Sequence, residues 1–507
     1  MSTFSLADLF SPLAQVPQRF ALRLSSRPPL QRPSLSALAG QDQARLPRFV
    51  RESAVATRYL NLLGTLDWGN FPERAGHRFW PDVTPLSLSA LAAAYLVKLD
   101  QHMPHMPALR RYLAEHPALV WVLGFPLTPS RQFSWGFDVA ASLPTHRHLS
   151  RLLRTVPNAA FQFLLDNTVQ QIRAELCTEV KDFGQTISLD TKHILAWVKE
   201  NNPKAYLKKG DRYDKDQQPN GDPDCRLGCK RRHNQRTAKA PPPTPQEDPV
   251  PANTISVGEY YWGYGSGVVA TKVSEWGEFV LAELTQPFNR PDVAYFHPLM
   301  DETERRLGFR PKFGAFDAAF DAFYVYAHFY REDEDGFAAV PFSQRGGHKK
   351  TFDEAGLPLC QAGLAMPLKY TFWSKSSLVH HERGRHVCPL LFPEETDEAC
   401  PIDHKNWPKG CTTTLPTNIG ARIRYQLDRE SEAYKQVYKQ RTATERINAQ
   451  TVALGIERPK LRNGTSITNH NTLTYVLINL HALQRIRQRK AARSARTDED
   501  SAQASDT

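Results

Sequence analysis

Three acidic residues stand where they could support metal-dependent chemistry. Asp190 follows the strand-like run Thr-Ile-Ser-Leu, Asp317 follows the run Phe-Gly-Ala-Phe, and Glu445 lies in a polar stretch typical of a helix. We expect Asp190 and Asp317 to end neighbouring strands, so that both carboxylates point into one crevice of an α/β sheet. Asp321 is a rival for Asp317, although its position predicts that it lies one turn into the next helix.

Carboxylates that converge in one crevice require a cation, because the repulsion between their charges raises the free energy of ionising all of them. Mg²⁺ and Mn²⁺ take oxygen ligands and keep positions open for phosphate. Two such ions can activate water on one side of a phosphodiester and stabilise the leaving oxygen on the other. The sequence therefore predicts two Mg²⁺ (or Mn²⁺) ions held by Asp190, Asp317 and Glu445.

The stretch around Glu445 also carries groups suited to phosphate. Tyr438, Arg441 and Glu445 are spaced three and four residues apart, which places them on one face of a single helix predicted from 428 to 454. An arginine beside a carboxylate can hold phosphate through paired hydrogen bonds. Further basic side chains on this helix are candidate DNA contacts, namely Lys435, Lys439 and Arg446.

The elements that must position these residues follow from hydrophobic patterning. Strands are predicted at 186–190, 260–273, 278–284, 313–316 and 337–342, with helices at 298–307 and 321–330. This order is typical of an α/β sheet with antiparallel and parallel parts. Residues 84–160 carry helical periodicity instead, and Pro85 is expected in the first turn of a helix.

Shifts in composition predict the domain organisation. The expected parts are a flexible basic arm (1–55), a helical N-terminal region (56–180), the first part of the sheet domain (181–345) with a disordered basic insertion (201–253), a Cys-rich inserted subdomain (346–420), the second part of the sheet domain with the Glu445 helix (421–490) and a disordered tail (491–507).

Four cysteines in and near the inserted subdomain could form a structural zinc site. Cys360, Cys388, Cys400 and Cys411 could supply four thiolates to a tetrahedral Zn²⁺ ion. Their spacing lacks a tight Cys-x2-Cys pair, so buried free thiols are the alternative interpretation.

Charge and composition narrow the class of partner. The chain has 507 residues, with 64 Lys and Arg against 53 Asp and Glu, which gives a net charge of +11. A polyanion such as DNA is a plausible partner of such a chain. The longest apolar stretch, 86–97, is shorter than the ~18 residues that a membrane span needs, so no membrane association is expected. Seven cysteines are an odd and ordinary number, which indicates a reducing compartment.

These motifs together resemble a known family. The "SLD" and "FGAFDAAFDAF" runs, with the Tyr-x2-Arg-x3-Glu spacing that ends at Glu445, resemble bacterial insertion-sequence transposases of the DDE type. The runs "LRRYLAEHPALVWVLGF" and "YYWGYGSGVVATKV" look like other parts of these enzymes. The family signature continues with a lysine seven residues after the glutamate, where this chain has Val452.

The resemblance implies a ribonuclease-H-like mixed sheet flanked by helices, preceded by an all-helical DNA-binding region (56–180) and interrupted by the Cys-rich insertion. It implies that Asp190, Asp317 and Glu445 are catalytic metal ligands and that Tyr438 and Arg441 contact the DNA end. The implied reaction is phosphodiester hydrolysis at the ends of an insertion sequence, followed by strand transfer into target DNA. The implied partners are duplex DNA, as terminal inverted repeats and target, and a second copy of the chain on paired ends, at the nucleoid in the bacterial cytoplasm.

Two alternatives use the same residues. A transposase-derived protein could bind DNA without catalysis, and a nuclease on the same fold could cut DNA without strand transfer.

Overall fold

A computed structural model describes residues 35–39, 43–73, 87–207, 211–230, 259–332, 334–343, 350–375, 378–403 and 408–505. Residues 1–34 and 40–42 of the expected flexible arm (1–55) lie outside the described residues, as does the predicted insertion from 231 onward. The described part of the arm differs from the prediction, because it forms short helices whose apolar side chains, such as Leu38 and Val50, are buried. The chain divides into two compact units: Met1–Cys177, Gly221–Asp224 and Ala449–Thr507 form the first, and Thr178–Asn220 with Cys225–Asn448 form the second.

The first unit is helical in its described part. Its α-helices span Leu35–Ala39, Arg48–Arg51, Ala54–Leu63, Leu88–Asp100, Met106–Glu115, Pro117–Leu123, Val139–Ser142, His146–Thr155, Ala159–Leu176 and Gly464–Ser505. A 3₁₀ turn at Gln43–Arg45 and a short hairpin of β1 (Thr128–Pro129) and β2 (Phe137–Asp138) complete it. In the part of the chain that the structure describes, no helix is long and apolar enough to cross a membrane.

The helix Leu88–Asp100 begins later than we expected. The Ser87 side chain accepts a hydrogen bond from the amide of Ala90, which satisfies one of the unpaired amides of the first turn. The predicted start at Pro85 lies outside the described residues. Almost every side chain of this helix is buried, so it is a core helix of its unit.

The C-terminal helix Gly464–Ser505 differs from the prediction in two ways. We expected its residues up to 490 to belong to the sheet domain, but they lie in the helical unit. Asn469 donates hydrogen bonds to the backbone carbonyl groups of Leu153 (2.8 Å) and Val156 (2.9 Å). The helix also continues to Ser505, through most of the tail expected to be disordered, because the Ala- and Arg-rich run after Lys490 keeps good helix propensity.

The second unit is built on a six-stranded mixed sheet. Its strands are β3 (Thr186–Leu195), β4 (Arg226–Cys229), β5 (Tyr260–Val273), β6 (Gly277–Pro287), β7 (Phe313–Ala315) and β8 (Phe337–Ala339). The order is β4-β5-β3-β7-β8, and β6 also pairs with β5. The β3–β5 and β5–β6 pairs are antiparallel, whereas β3–β7 and β7–β8 are parallel. The expected α/β class is confirmed at this level.

Helices form the connections between the later strands. The helix Phe296–Leu307 connects β6 to β7, and the helix Phe323–Phe329 connects β7 to β8. Parallel strands require such crossover connections. Tyr295 packs directly over β5 and donates a hydrogen bond to the carbonyl of Gly265 (3.0 Å). At Gly267, a Cβ atom would lie 2.5 Å from the Tyr295 ring, so the close approach of this connection to the sheet requires glycine.

Part of the predicted disordered insertion is ordered. Its residues Arg226–Cys229 form β4, which pairs antiparallel with the start of β5. The sequence did not predict this strand, because it has only four residues and follows a turn-rich segment around Asp222. Asn201 fixes the beginning of the insertion by donating hydrogen bonds to the carbonyl groups of Ala196 (2.8 Å) and Trp262 (2.7 Å).

The Cys-rich region forms a smaller sheet within the second unit. Its strands are β9 (Leu368–Ser374), β10 (His381–Val387) and β11 (Thr412–Pro416), all antiparallel, with β10 in the centre. Three helices follow it, at Ile419–Gln426, Glu432–Lys439 and Thr442–Ala453.

Candidate active site

The parallel pairing of β3 and β7 aligns the two predicted aspartates. Thr186 lies opposite Phe313 and Ser188 opposite Ala315. Asp190 and Asp317 each stand two residues beyond the last of these pairs, so both side chains leave the same face at the same level. We expected Asp190 to end its strand, but β3 continues to Leu195 because it pairs with β5 over this length.

Both aspartates lie in surroundings that oppose ionisation. Burial, and then the charge of Asp317, raise the pKa of Asp190 to about 7. Burial also raises the pKa of Asp317, with a further contribution from the charge of Asp292. The amides of Thr191 and Ala319 donate hydrogen bonds of 2.8 Å to Asp190 and Asp317 respectively, but these bonds only partly offset the desolvation.

Asp292 is a third carboxylate at this site that sequence reasoning missed. It begins the 3₁₀ turn Asp292–Tyr295, and burial raises its pKa. The Thr191 hydroxyl, next to Asp190, donates a hydrogen bond of 2.7 Å to it. Its only sequence signal is a Pro-Asp pair after a predicted strand, which is typical of any turn.

The helix expected to carry Tyr438, Arg441 and Glu445 on one face is broken. It consists of Glu432–Lys439 and Thr442–Ala453, and the backbone between them turns at Gln440 and Arg441. The hydroxyl groups of Thr442 and Thr444 donate to the carbonyl groups of Lys439 and Arg441, a local bonding pattern that competes with the helical ladder.

The break does not separate Arg441 from the acids. Arg441 forms an ion pair with Glu445. Its positive charge also partly offsets the rise in the pKa of both Asp190 and Asp317. The Arg441 guanidinium lies 5.9 Å from the centre of the Tyr438 ring, and that ring stacks on Tyr434. Arg441 is therefore a positively charged side chain that acts on Glu445 and on both aspartates.

The helix Thr442–Ala453 meets Asp190 through a residue that we did not predict. The Asn448 amide donates a hydrogen bond of 3.0 Å to Asp190. Asn448 follows Glu445 by three residues, so the two side chains share a helix face with Cβ atoms about 5–6 Å apart. The Glu445 side chain is 47% exposed, whereas Asn448 is buried against the aspartate.

Asp321 has a different role from Asp317. Arg424 donates two hydrogen bonds to it, from Nε (2.8 Å) and Nη2 (2.5 Å), and both side chains are almost fully buried. Tyr326 and the backbone amide of Ser343 donate to it as well. Its oxygen atoms are therefore used inside the protein, which favours Asp317 as the acid at the site.

The predicted DNA contacts Lys435, Lys439 and Arg446 are exposed. Arg446 forms an ion pair of 2.6 Å with Glu278 at the start of β6. The Lys435 ammonium lies 3.8 Å from Glu430, a distance at which exposed pairs contribute little free energy. These lysines remain accessible to an anionic ligand.

The donor set at the site suits a hard divalent cation. Asp190, Asp317 and Asp292 supply half-buried carboxylate oxygens that a cation would allow to ionise. Among the described residues, however, no three or more His, Cys, Asp or Glu side chains are already spaced as a metal shell. A cation would therefore have to draw these side chains together.

The structure also locates the four cysteines predicted to bind zinc. Burial first, and then the electrostatic influence of the nearby Cys360 and Cys388 thiols, raise the pKa of Cys411 to about 12. Cys400 stands in the chain connection between Cys388 and Cys411 and is half-buried.

The chain has no significant match among protein-family models, among curated proteins or among solved structures.

Proposed function

We propose that this protein is a DNA transposase that hydrolyses the phosphodiester at the ends of an insertion sequence and transfers the freed strand into target DNA. The observation that carries the proposal is the carboxylate pair on adjacent parallel strands. Asp190 and Asp317 are aligned by the register of β3 and β7, and Arg441 and Asn448 reach them from the region after β11.

Each group has a distinct part in this chemistry. Bound Mg²⁺ or Mn²⁺ would supply an activated water and a counter-charge for the leaving oxygen. Asp190 and Asp317 would hold these ions, Glu445 would complete their shell, and Asn448 would keep the Asp190 carboxylate oriented by its hydrogen bond. Arg441 would leave its ion pair with Glu445 to bind the scissile phosphate, because a phosphate can accept paired hydrogen bonds from a guanidinium.

The order of elements supports the same proposal. Three antiparallel strands, β3, β5 and β6, are followed by two parallel strands reached through helices. This is the arrangement expected for a ribonuclease-H-like sheet that brings the acids to one side. The partners of the protein would be duplex DNA at the terminal inverted repeats and in the target. Two copies of the chain would act on paired ends, at the nucleoid in the bacterial cytoplasm.

A cleavage assay tests the proposal directly. The substrate is linear duplex DNA that carries the sequences flanking the gene on both sides, incubated with Mg²⁺ or Mn²⁺. We expect metal-dependent nicks at fixed positions and joined products with added target DNA. Asp190→Asn, Asp317→Asn and Glu445→Gln should each reduce cleavage by at least about 10³-fold, whereas Asp301→Asn, an exposed acid in the same unit, should leave it unchanged.

The outcomes distinguish the alternatives. Metal-dependent cutting without joined products would indicate a nuclease. Fixed-site DNA binding without cutting would indicate a DNA-binding protein that has lost catalysis. Full cleavage by Glu445→Gln, together with loss of cleavage by Asp292→Asn, would replace Glu445 with Asp292 as the third acid, as the electrostatics around Asp317 allow.

A further inference from the structure

Two cysteines face each other at one end of the small sheet. In the β10–β11 pair, Val387 lies opposite Thr412, and the next residues outward are Cys388 and Cys411. Gly410 precedes Cys411 with a φ of +73°, and a Cβ atom there would lie 2.9 Å from the Cys388 Cβ atom. Only glycine permits this approach, so the chain that carries Cys411 is held directly over Cys388.

A hairpin brings a third cysteine to the same end. The Cys360 amide donates to the carbonyl of Leu364 (2.9 Å), and the Gly363 amide donates back to the carbonyl of Cys360 (3.0 Å). The hairpin leads into Pro367, whose carbonyl accepts a hydrogen bond of 3.1 Å from the amide of Val387. Cys360 is therefore anchored beside the strand end that leads into Cys388.

The three thiols lie in the same neighbourhood, although they are not yet spaced as metal ligands. The Cys360 and Cys388 thiols both act electrostatically on the Cys411 thiol, and all three cysteines are free of disulfide bonds. Thiolates brought this close repel one another unless a cation lies between them, and soft sulfur ligands select Zn²⁺ among the common divalent ions. In a tetrahedral zinc site the sulfur atoms lie about 3.8 Å apart, as follows from Zn–S bonds of about 2.3 Å.

In its described residues, the small sheet has a small apolar core. Met366, Leu390 and Leu415 are buried in this region, but strand β9 leaves large side chains exposed. These exposed side chains are Leu368, Tyr370, Phe372 and Trp373. A sheet with so small a core commonly depends on a metal or on cross-links.

We propose that the thiolates of Cys360, Cys388 and Cys411 hold one structural Zn²⁺ ion, with Cys400 as its fourth ligand. Cys400 is the remaining cysteine of this region and lies on the chain segment that connects Cys388 to Cys411. Among the described residues no three such side chains are already spaced to hold a metal ion, so zinc binding would require rotation of the cysteine side chains. The proposal is independent of the proposed function, since it concerns only the stability of this region.

Metal analysis of the full-length protein tests the site. The protein is purified under reducing conditions, loaded with ZnCl₂, freed of unbound metal and analysed by mass spectrometry for zinc. We expect about one zinc per chain, at least a tenfold loss in Cys388→Ser and Cys411→Ser, and no loss in Cys177→Ser. Cys177 is exposed in the helical unit and serves as the matched control.

A measurement on the unmodified chain avoids any dependence on how the variants fold. Cys360 and Cys411 are only half-buried, so iodoacetamide should modify them after a chelator is added but not in the zinc-loaded protein. Cys177 should react equally in both states. Binding of Co²⁺ should produce a thiolate-to-metal charge-transfer band whose intensity indicates four sulfur ligands.

Each remaining outcome counts against a stated part of the proposal. A wild-type protein that retains no zinc after loading would overturn it. Protection of Cys411 that survives the chelator but not a reductant would replace the metal with a Cys388–Cys411 disulfide. Full zinc retention in Cys400→Ser would remove Cys400 from the ligand set.

Discussion

The ionisation of Asp190 should make stability depend on pH. Its folded-state pKa of about 7 exceeds the unfolded value of about 3.9, so the folded protein binds the proton more tightly. The resulting stabilisation is complete below about pH 4 and is lost as the pH rises through 7. Between about pH 5 and pH 8, the free energy of unfolding should fall by about 3 kcal/mol more in the wild type than in Asp190→Asn.

Urea titrations at the two pH values, with EDTA present, measure this difference. Millimolar Mg²⁺ should abolish the fall, because a bound cation favours the ionised carboxylate. An equal pH dependence in Asp190→Asn and wild type would show that Asp190 ionises normally.

Asp317 and Asp321 should respond oppositely to the same substitution. Asp321→Asn leaves the Arg424 guanidinium buried without its carboxylate partner and should cost about 3–5 kcal/mol of unfolding free energy. Asp317→Asn removes a buried charge and should leave stability unchanged or higher while abolishing cleavage. Urea unfolding together with the DNA cleavage assay measures both effects; a stable Asp321→Asn protein without cleavage would restore Asp321 as the catalytic candidate.

At the scale of elements, the packing of the short strand β7 determines where Asp317 lies. A Cβ atom at Gly314 would lie 2.3 Å from the Phe316 ring and 2.5 Å from the Phe329 ring. Gly314→Ala should therefore displace β7 or these rings, lower the unfolding free energy by about 1–3 kcal/mol and reduce cleavage more than binding of DNA.

The matched control is Gly69→Ala in the helical unit, where the nearest atom to a Cβ would be 3.4 Å away. Urea midpoints and cleavage rates of both variants are compared with the wild type. Unchanged cleavage in Gly314→Ala would mean that the position of Asp317 does not depend on the packing of β7.

At the scale of the whole molecule, the helical unit combines residues from both ends of the chain. The helix Gly464–Ser505 belongs to it, and its apolar face is buried. The buried residues of that face include Ile467, Leu473, Val476, Leu480 and Leu483. A chain that ends after Leu454 should lose this unit, because five such side chains at about 2 kcal/mol each approach the whole stability of a domain.

Limited proteolysis followed by mass spectrometry measures this loss as rapid cleavage within residues 88–176. A chain that ends after Ala491 keeps the buried face and should resist the protease as the full-length chain does. Protection of residues 88–176 in the shorter chain would show that the N-terminal helices are stable alone.

Local pattern was sufficient for much of this protein. Alternation and β-branched runs predicted five of the strands near their observed positions, and helical periodicity predicted the helices Met106–Glu115 and Pro117–Leu123, because these signals arise within a few residues. The helices Arg48–Arg51 and Ala54–Leu63 were not predicted. The choice of Asp190 and Asp317 as candidates also came from local sequence, since each follows a short, mostly apolar run that is typical of a buried strand.

Only the tertiary structure determined which groups meet. Asp292 and Asn448 reach Asp190 and Asp317 from distant positions in the sequence, and the convergence of Cys360 with Cys411 depends on a hairpin and a strand register that no spacing reveals. The break at Arg441 arises from threonine hydroxyls that compete for backbone carbonyl groups. The break is local, but the other features depend on contacts between residues far apart in the chain, and periodicity contains no information about such contacts.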